Sequence, residues 1–262
     1  ATVLSPAIVV GNSPPTVSAV EVSPSTPTVL DELSCNYNLE DPDAADLEQL
    51  EPTVTWWVDD QLVDEAIASK GQSVRCEVTV TDGAAVTGPF ASAAVTIVNS
   101  APTVDFAMLR PAEPNSIDAL LCVPSGYMDV DGDSPAYTYR WFLDGQPVMD
   151  QTTDVLPSYV TIKGQSVACE VTPVDEEVSG IPVSSNVVVI SNSPPTIEAA
   201  VLTPEEGGLT TVFACSALNA TDPDNDAVDV SYGWLLNNAV VPGEFGATYI
   251  PSAALPESTL SC

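Results

Sequence analysis

One short phrase occurs three times in this sequence, and its recurrence limits the chain to a tandem array of similar modules. Asn12-Ser13-Pro14-Pro15-Thr16 returns as Asn99-Ser100-Ala101-Pro102-Thr103 and again as Asn192-Ser193-Pro194-Pro195-Thr196. The copies begin 87 and then 93 residues apart, and self-similarity at a fixed period is typical of repeat architectures. We interpret the phrases as joints 1, 2 and 3. They predict a closing strand of a preceding repeat over 1–11, followed by repeats over 12–98, 99–191 and 192–262, the last incomplete at its C-terminus.

Short alternating runs predict β-strands within each repeat. The run Ser73-Val74-Arg75-Cys76-Glu77-Val78-Thr79-Val80 alternates strictly, and 166–172 repeats its pattern. Runs rich in Val and Thr between Pro, Gly, Asn and Asp turns are typical of antiparallel sandwiches. Asp144-Gly145, between two apolar runs, is a hairpin signal. The predicted fold class is therefore all-β, a series of antiparallel β-sandwiches arranged as a rod, without a helix of useful length.

The two ends of the chain complement each other in this scheme. The run Ala7-Ile8-Val9-Val10 matches the last strands of the first two full repeats, whereas the third repeat stops at Cys262. Two explanations stay open. The chain is a segment of a longer array, or residues 1–11 complete the third repeat of a neighbouring copy by strand addition.

The charge excludes several classes of function. Asp and Glu number 37 against 5 Lys and Arg, with no His, which gives a net charge of −32. Such a chain repels nucleic acid and anionic membranes, and it has no apolar run of the roughly 20 residues that a membrane helix needs. Without His, a Ser-His-Asp arrangement or a phosphate-cradling Gly loop, it is not expected to be an enzyme. The acidity suits either a salty, divalent-rich medium or specific cation sites.

Two cysteines with a tryptophan between them recur in each repeat. The Cys-to-Cys separations are 41, 47 and 47 residues. The pattern resembles the immunoglobulin superfamily, in which a disulfide ties two sheets across a Trp. An acidic insertion lengthens the Cys-to-Trp spacing, so the resemblance is to bacterial Ig-like or PKD-like extracellular repeats. It implies Ig-like sandwiches with the disulfides Cys35–Cys76, Cys122–Cys169 and Cys215–Cys262 beside the core residues Trp56, Trp141 and Trp234.

Zinc is the competing interpretation of the cysteines, but the sequence has no Cys-x-x-Cys and no His. Three disulfides would place the protein in an oxidising compartment, extracellular or at the cell surface.

Asp-rich stretches lie between the second and third predicted strands of each repeat. The residues are Asp41, Asp43 and Asp46 in the first, Asp129, Asp131 and Asp133 in the second, and Asp222, Asp224 and Asp226 in the third. Three hard oxygens from one tight loop are ligands that Ca²⁺ selects, and the loops resemble those of dockerin, thrombospondin-type and cadherin-like modules. Asp82 and Asp175, at equivalent positions after a later strand, are expected to add a ligand. An ordinary Asp-rich turn is the alternative.

The joints predict a mechanical role. Consecutive prolines fix φ and stiffen a crossing between repeats. We therefore expect a structural extracellular protein, a segment of a stalk, fibre or filament, whose partners are neighbouring repeats or other copies through self-association. The alternative is an adhesin that recognises a glycan or a partner cell surface, with or without calcium. An adhesin should carry one atypical repeat with exposed aromatics, for which Trp57 and Tyr127 are the candidates.

Overall fold

The computed structural model describes residues 3–43, 49–252 and 257–262. The predicted all-β fold class is confirmed: the described residues form antiparallel sheets with one disulfide in each repeat, and no α-helix occurs among them. The strands of the first repeat are β1 (Thr16–Ser23), β2 (Ser34–Glu40), β3 (Glu51–Val58), β4 (Gln61–Val63), β5 (Ser73–Thr81), β6 (Val86–Ala91) and β7 (Val95–Thr96).

Two sheets make up the first repeat. One pairs β1 with β2, and the other has the order β4-β3-β5-β6 with β7 also on β5. Strands β3 and β5 pair antiparallel from Glu51 opposite Thr81 to Val58 opposite Val74. Cys35 lies on β2 and Cys76 on β5, with Cα atoms 6.1 Å apart, so the disulfide connects the two sheets.

The second and third repeats are built in the same way. The second contains β8 (Phe106–Arg110), β9 (Leu120–Ser125), β10 (Ala136–Leu143), β11 (Gln146–Val148), β12 (Val155–Leu156), a 3-10 turn (Ser158–Val160), β13 (Ser166–Val174), β14 (Val183–Ser184) and β15 (Val188–Val189). The third contains β16 (Ala199–Thr203), β17 (Phe213–Leu218), β18 (Leu235–Leu236), β19 (Ala239–Val240), β20 (Thr248–Tyr249) and β21 (Leu260–Ser261). The sheets of the second repeat have the orders β12-β9-β8 and β11-β10-β13-β14, with β15 also on β13. The sheets of the third repeat have the orders β16-β17-β20 and β19-β18-β21.

The core lies on one face of the central strands. Burial alternates residue by residue along β5 and β13, so that Val74, Cys76, Val78 and Val80 point inward on β5. This alternation follows from the two-residue period of a strand. It explains why the strictly alternating sequences became the best-buried strands of their repeats.

The hairpin after the central Trp has the same backbone in every repeat. Both turn residues have positive φ, at 46° and 60° for Asp59 and Asp60 and at 53° and 63° for Asn237 and Asn238. Asp144 and Gly145 in the second repeat repeat this conformation, with φ of 49° and 77°. Two-residue turns of this hand match the twist of antiparallel strands, and Asp, Asn and Gly tolerate them best.

The chain divides into two compact units that do not coincide with the sequence repeats. The first comprises Ala1–Asp105, Ser125–Thr138 and Thr172–Pro182, and the second comprises Phe106–Pro124, Tyr139–Val171 and Val183–Cys262. Joints 1 and 2, with their Asp-rich stretches, belong to the first unit, and joint 3 with its own belongs to the second. Each joint is therefore inside a compact unit, and the repeat boundaries stay predictions.

The assignment of 1–11 as the closing strand of a preceding repeat stays a prediction. Residues 3–11 belong to no strand, and Ile8, Val9 and Val10 are 87–96% exposed. A strand exists only beside a hydrogen-bonding neighbour, and none of the described residues takes that place in the sheets.

Candidate functional site

The joints and the Asp-rich stretches form one structure, repeated three times. The backbone N–H of the joint serine donates to Oδ2 of the middle aspartate, and the N···O distance is 2.6 Å in each case. The pairs are Ser13 with Asp43, Ser100 with Asp131, and Ser193 with Asp224. We call the described residues 41–43, 129–133 and 222–226 the acidic loops 1, 2 and 3. Each acidic loop thus folds against the joint that opens its own repeat.

Each acidic loop is closed by its first aspartate. Oδ1 of Asp129 accepts the N–H of Asp131 at 2.8 Å, and Asp41 and Asp222 do the same for Asp43 and Asp224 at 2.7 Å. This side-chain-to-backbone bond two residues ahead is the Asx turn that favours Asp at such positions. It uses one oxygen of the first carboxylate and leaves the other for a different partner.

Backbone pairing fixes joints 2 and 3 to the following loop. Thr103 exchanges two backbone hydrogen bonds with Met128, at 2.8 and 3.0 Å, and Thr196 does the same with Thr221, at 2.8 and 2.9 Å. The partners directly precede the acidic loops. The last residue of each joint is therefore held to the base of the loop, which brings the joint serine within reach of the middle aspartate.

The joint asparagine contacts a third element. Nδ2 of Asn12 donates to Asp82, and Nδ2 of Asn99 donates to Asp175, both at 2.9 Å. Asp82 and Asp175 also accept backbone N–H groups of the turns that follow them. The structure therefore brings these two aspartates to the joints. Their role as additional metal ligands stays a prediction.

Hydrogen bonding keeps several of these carboxylates ionised. The Asn12 amide and the Ala85 and Ala84 backbone lower the pKa of Asp82. The Asn99 amide and the Val178 backbone lower the pKa of Asp175 in the same manner.

The pKa of Asp224 is lowered by the Ser116 hydroxyl first and by the Ser193 backbone second. A carboxylate that accepts several donors is stabilised in its charged form. These aspartates are therefore acceptors, or metal ligands, throughout the neutral pH range.

Among the described residues, two groups of carboxylates are close enough to share one cation. Asp129, Asp133 and Asp175 place ligand oxygens within 4.8 Å of one another at joint 2, and Asp222, Asp224 and Asp226 do so at joint 3. The Oδ2 of Asp129 and the Oδ1 of Asp131 are buried and have no hydrogen-bond partner. A buried carboxylate oxygen without a donor is costly, and a divalent cation would satisfy it.

Joint 2 fits a cation better than joint 3, for a reason in the preceding repeat. At joint 3, Ser116 supplies a hydroxyl to Asp224. The counterpart of Ser116 in the first repeat is Val29, which stands 87 residues earlier. Val29 lines the depression beside Asp131 and Asp133, and its side chain has no hydrogen-bond donor. One Asp131 oxygen thus stays unpartnered at joint 2. In acidic loop 1, the Oδ2 of Asp41 is likewise buried without a partner, whereas Asp46 lies outside the described residues.

Sequence reasoning missed the basic residues of the joints. Nζ of Lys70 lies 3.0 Å from Asp133, and Nζ of Lys163 lies 2.5 Å from Asp226. Both lysines begin the phrase Lys-Gly-Gln-Ser-Val, which is repeated at 70–74 and 163–167. That repetition was the available signal, although nothing in it identifies the acidic loop as the partner.

The cysteines and tryptophans lie together in the cores. Trp56 is opposite Cys76 in the β3–β5 register and half-buried. Trp141 and Trp234 are fully buried, and their Nε1–H groups donate to Thr153 and Gly246 carbonyls at 2.9 Å. The remaining disulfides, Cys122–Cys169 and Cys215–Cys262, have Cα separations of 6.3 and 6.2 Å.

The two aromatic residues expected to be exposed are not free. Trp57 is half-buried beneath the Arg75 guanidinium, 4.5 Å from the ring centroid, and Tyr127 is half-buried against Tyr137. The expectation was wrong because neighbouring side chains cover both rings. Among the described aromatic residues, Tyr159 and Phe245 are the most exposed, at 84% and 73%.

No protein-family model matches the sequence, and no curated protein matches it either. Among solved structures, the chain is similar to the FN1-FN3 domains of chicken CNTN1, with 8% identity over 95% of this chain and 88% of that one, at a TM-score of 0.29. It is also similar to SGBP-B of the Bacteroides ovatus mixed-linkage glucan utilization locus, solved with a mixed-linkage heptasaccharide, with 12% identity, 92% coverage of this chain and a TM-score of 0.23. This chain spans 62% of that protein.

A third similar structure is that of extracellular domains 3–5 of Drosophila OTK, with 12% identity over 86% of this chain and 83% of that one, at a TM-score of 0.22. TM-scores this low give these likenesses no weight in assigning a family, ligand or partner. Among the helical segments of the described residues, none has the length and apolar character to cross a bilayer.

Proposed function

We propose that this chain is a non-catalytic extracellular spacer, a segment of a stalk, fibre or filament whose joints are held by the acidic loops and bind calcium. The observation that carries the proposal is the recurrence of one hydrogen bond, from the joint serine N–H to the middle aspartate, at all three joints. A flexible linker that only has to span a distance does not need such a hydrogen bond. A repeated bond between the joint and the loop serves to fix the crossing from one repeat to the next.

The remaining features support a secreted structural role. Every cysteine is paired in a disulfide, and disulfides persist in oxidising compartments outside the cytoplasm. A net charge of −32 keeps an array soluble and self-repelling. The chemistry-bearing side chains are concentrated in repeated joints, which suits a common structural task better than a single reaction.

Calcium is the cation that the joints would take. The available groups are carboxylate oxygens, the hard ligands that Ca²⁺ prefers, and extracellular modules bind it with Kd values of about 10⁻⁴–10⁻³ M. At joint 2 the free buried oxygens belong to Asp129 and Asp131, and Asp133 and Asp175 complete the set.

We expect Ca²⁺ to raise the melting temperature of the full chain. At a concentration 100-fold above Kd, one site that binds only the folded state contributes about 2.7 kcal/mol. Differential scanning calorimetry in CaCl₂ and in chelator measures the shift. In Asp129→Asn/Asp131→Asn the part of the shift that belongs to joint 2 should disappear, because the free oxygens lose their charge.

The matched control removes two charges away from the joints. Glu205 and Glu206 are exposed and lie in the turn after β16, so Glu205→Gln/Glu206→Gln should keep the full calcium shift. Equal melting curves in calcium and chelator would refute the calcium part of the proposal. An equal loss in both double variants would show that the shift reflects net charge and not a site.

The alternative is an adhesin, and one observation favours it. Tyr159 and Ile162, 84% and 66% exposed, line a depression beside joint 3 together with Asn225. The first repeat has Ala66 and Ser69 at the corresponding positions 93 residues earlier. The second repeat is thus atypical in the way a glycan-binding repeat would be. The spacer is preferred because the joint network, unlike this face, is repeated.

A further inference from the structure

Both lysines of this chain make the same kind of contact. Of the five basic residues, two are lysines, Lys70 and Lys163, and each precedes the second cysteine of its repeat by six residues. Both side chains reach past their own repeat to the joint and acidic loop of the next. In a chain with 37 acidic residues, both lysines therefore serve the same kind of position.

At joint 2 the ammonium group has three acceptors. Nζ of Lys70 lies 2.5 Å from Oδ1 of Asn99, 3.0 Å from Oδ2 of Asp133 and 2.7 Å from Oε1 of Glu177. An ammonium group has three N–H donors. One lysine thus connects the joint, the acidic loop and the turn after β13.

Joint 3 repeats the arrangement with one acceptor fewer. Nζ of Lys163 lies 2.8 Å from Oδ1 of Asn192 and 2.5 Å from Oδ2 of Asp226. Asn192 and Asp226 correspond to Asn99 and Asp133. The same side chain therefore contacts the same two partners across successive joints, which surface ion pairs formed by chance would not do.

The backbone places each lysine at its joint. Gly71 and Gly164, the residues after the lysines, have φ of 85° and 89°. Their N–H groups donate at 2.8 Å to the carbonyls of Ile97 and Ile190, two residues before the joint asparagines. Both isoleucines are buried. The turn that carries the lysine is thus anchored to the segment that leads into the joint.

We propose that Lys70 and Lys163 are ionic latches, each joining one repeat to the next by binding the joint asparagine and the third aspartate of the following acidic loop. The partner surface is an acidic loop beside an Asn-Ser joint, and the latch is specific for it. The latch needs no bound calcium, but it shares Asp133 and Asp226 with the two carboxylate groups that could hold a cation, so it is tested in chelator.

Hydrogen exchange of the full chain, measured by mass spectrometry in chelator, tests the latches. In Lys163→Met we expect the joint 3 amides to exchange about two- to fivefold faster, the range of a partly exposed ion pair, while joint 2 stays unchanged. Lys70→Met should give the reverse pattern, with the larger effect because Lys70 holds two carboxylates. The untouched joint in each variant shows that the fold is intact.

Three further variants separate a latch from a general charge effect. Arg140 is 63% exposed at its side chain and pairs with Glu170 within the second repeat, so Arg140→Met should leave both joints unchanged. Asp226→Lys should open joint 3, and Lys163→Asp/Asp226→Lys should restore protection.

Two exchange results would overturn the proposal. One is unaltered exchange at joint 3 in Lys163→Met, and the other is a charge-swapped double variant no better protected than Asp226→Lys. The intact mass of the chain is a further check, and we expect the mass that the sequence gives with three disulfides. A mass lower by one ammonia per joint would overturn the proposal, because it would show a covalent Lys–Asn amide in place of an ion pair.

Discussion

Replacing Trp141 by alanine is expected to destabilise the second repeat by about 3–5 kcal/mol, the usual cost of deleting a large aromatic side chain from a core. Trp141 is fully buried on β10, and its indole N–H donates to the Thr153 carbonyl at 2.9 Å. The substitution therefore leaves a cavity and removes the donor of a hydrogen bond. Calorimetry of the full chain should show one transition moved to lower temperature, because the other repeats keep their own cores.

The control is an aromatic residue of the same repeat whose side chain is mostly exposed to solvent. Tyr159 is 84% exposed, and surface substitutions of this kind usually change stability by less than about 0.5 kcal/mol. We therefore expect Tyr159→Ala to melt like the unmodified chain. Similar destabilisation by both substitutions would mean that Trp141 is not the centre of a packed core.

Removing the Cys122–Cys169 disulfide is expected to cost the second repeat about 4 kcal/mol, from the chain-entropy model for a closed loop of 47 residues. The bond connects β9 and β13, which belong to different sheets. Cys122→Ser/Cys169→Ser should therefore lower one calorimetric transition strongly and leave the others in place.

The third repeat provides the matched comparison for this disulfide. Cys215 and Cys262 are also 47 residues apart, so their double replacement should have a similar effect on a different transition. Six titratable thiols in the unreduced, denatured protein would contradict the pairing, and with it the extracellular assignment that depends on disulfides.

Much of the fold could be predicted because its signals are local. Alternation along β5 and β13 gave the buried strands, and the turn pairs after the central tryptophans gave the hairpins. The two-residue strands, such as β14 and β19, could not be found, since two residues show no period. In the third repeat, the run 232–236 forms a strand only at Leu235–Leu236. Gly233 interrupts that run, and glycine weakens a strand.

The joint network could be predicted only in pieces. The acidic loops and the joints were separate features in the sequence, because Ser100 and Asp131 are 31 residues apart. Lys70 and Asp133 are 63 apart, and no local pattern connects residues at that distance. The repeat supplied each component three times, but only the fold shows that the components meet.

Amide hydrogen exchange at Ser100 and Ser193, followed by NMR in the unmodified chain, tests most directly whether each joint is folded against its acidic loop. Both serines are buried, and each N–H is held by a carboxylate at 2.6 Å. We predict strong protection at both positions, lost at Ser193 alone in Asp224→Ala and at Ser100 alone in Asp131→Ala. Exchange at the rate of an unstructured peptide in the unmodified chain would contradict the account, because the joints would then be tethers.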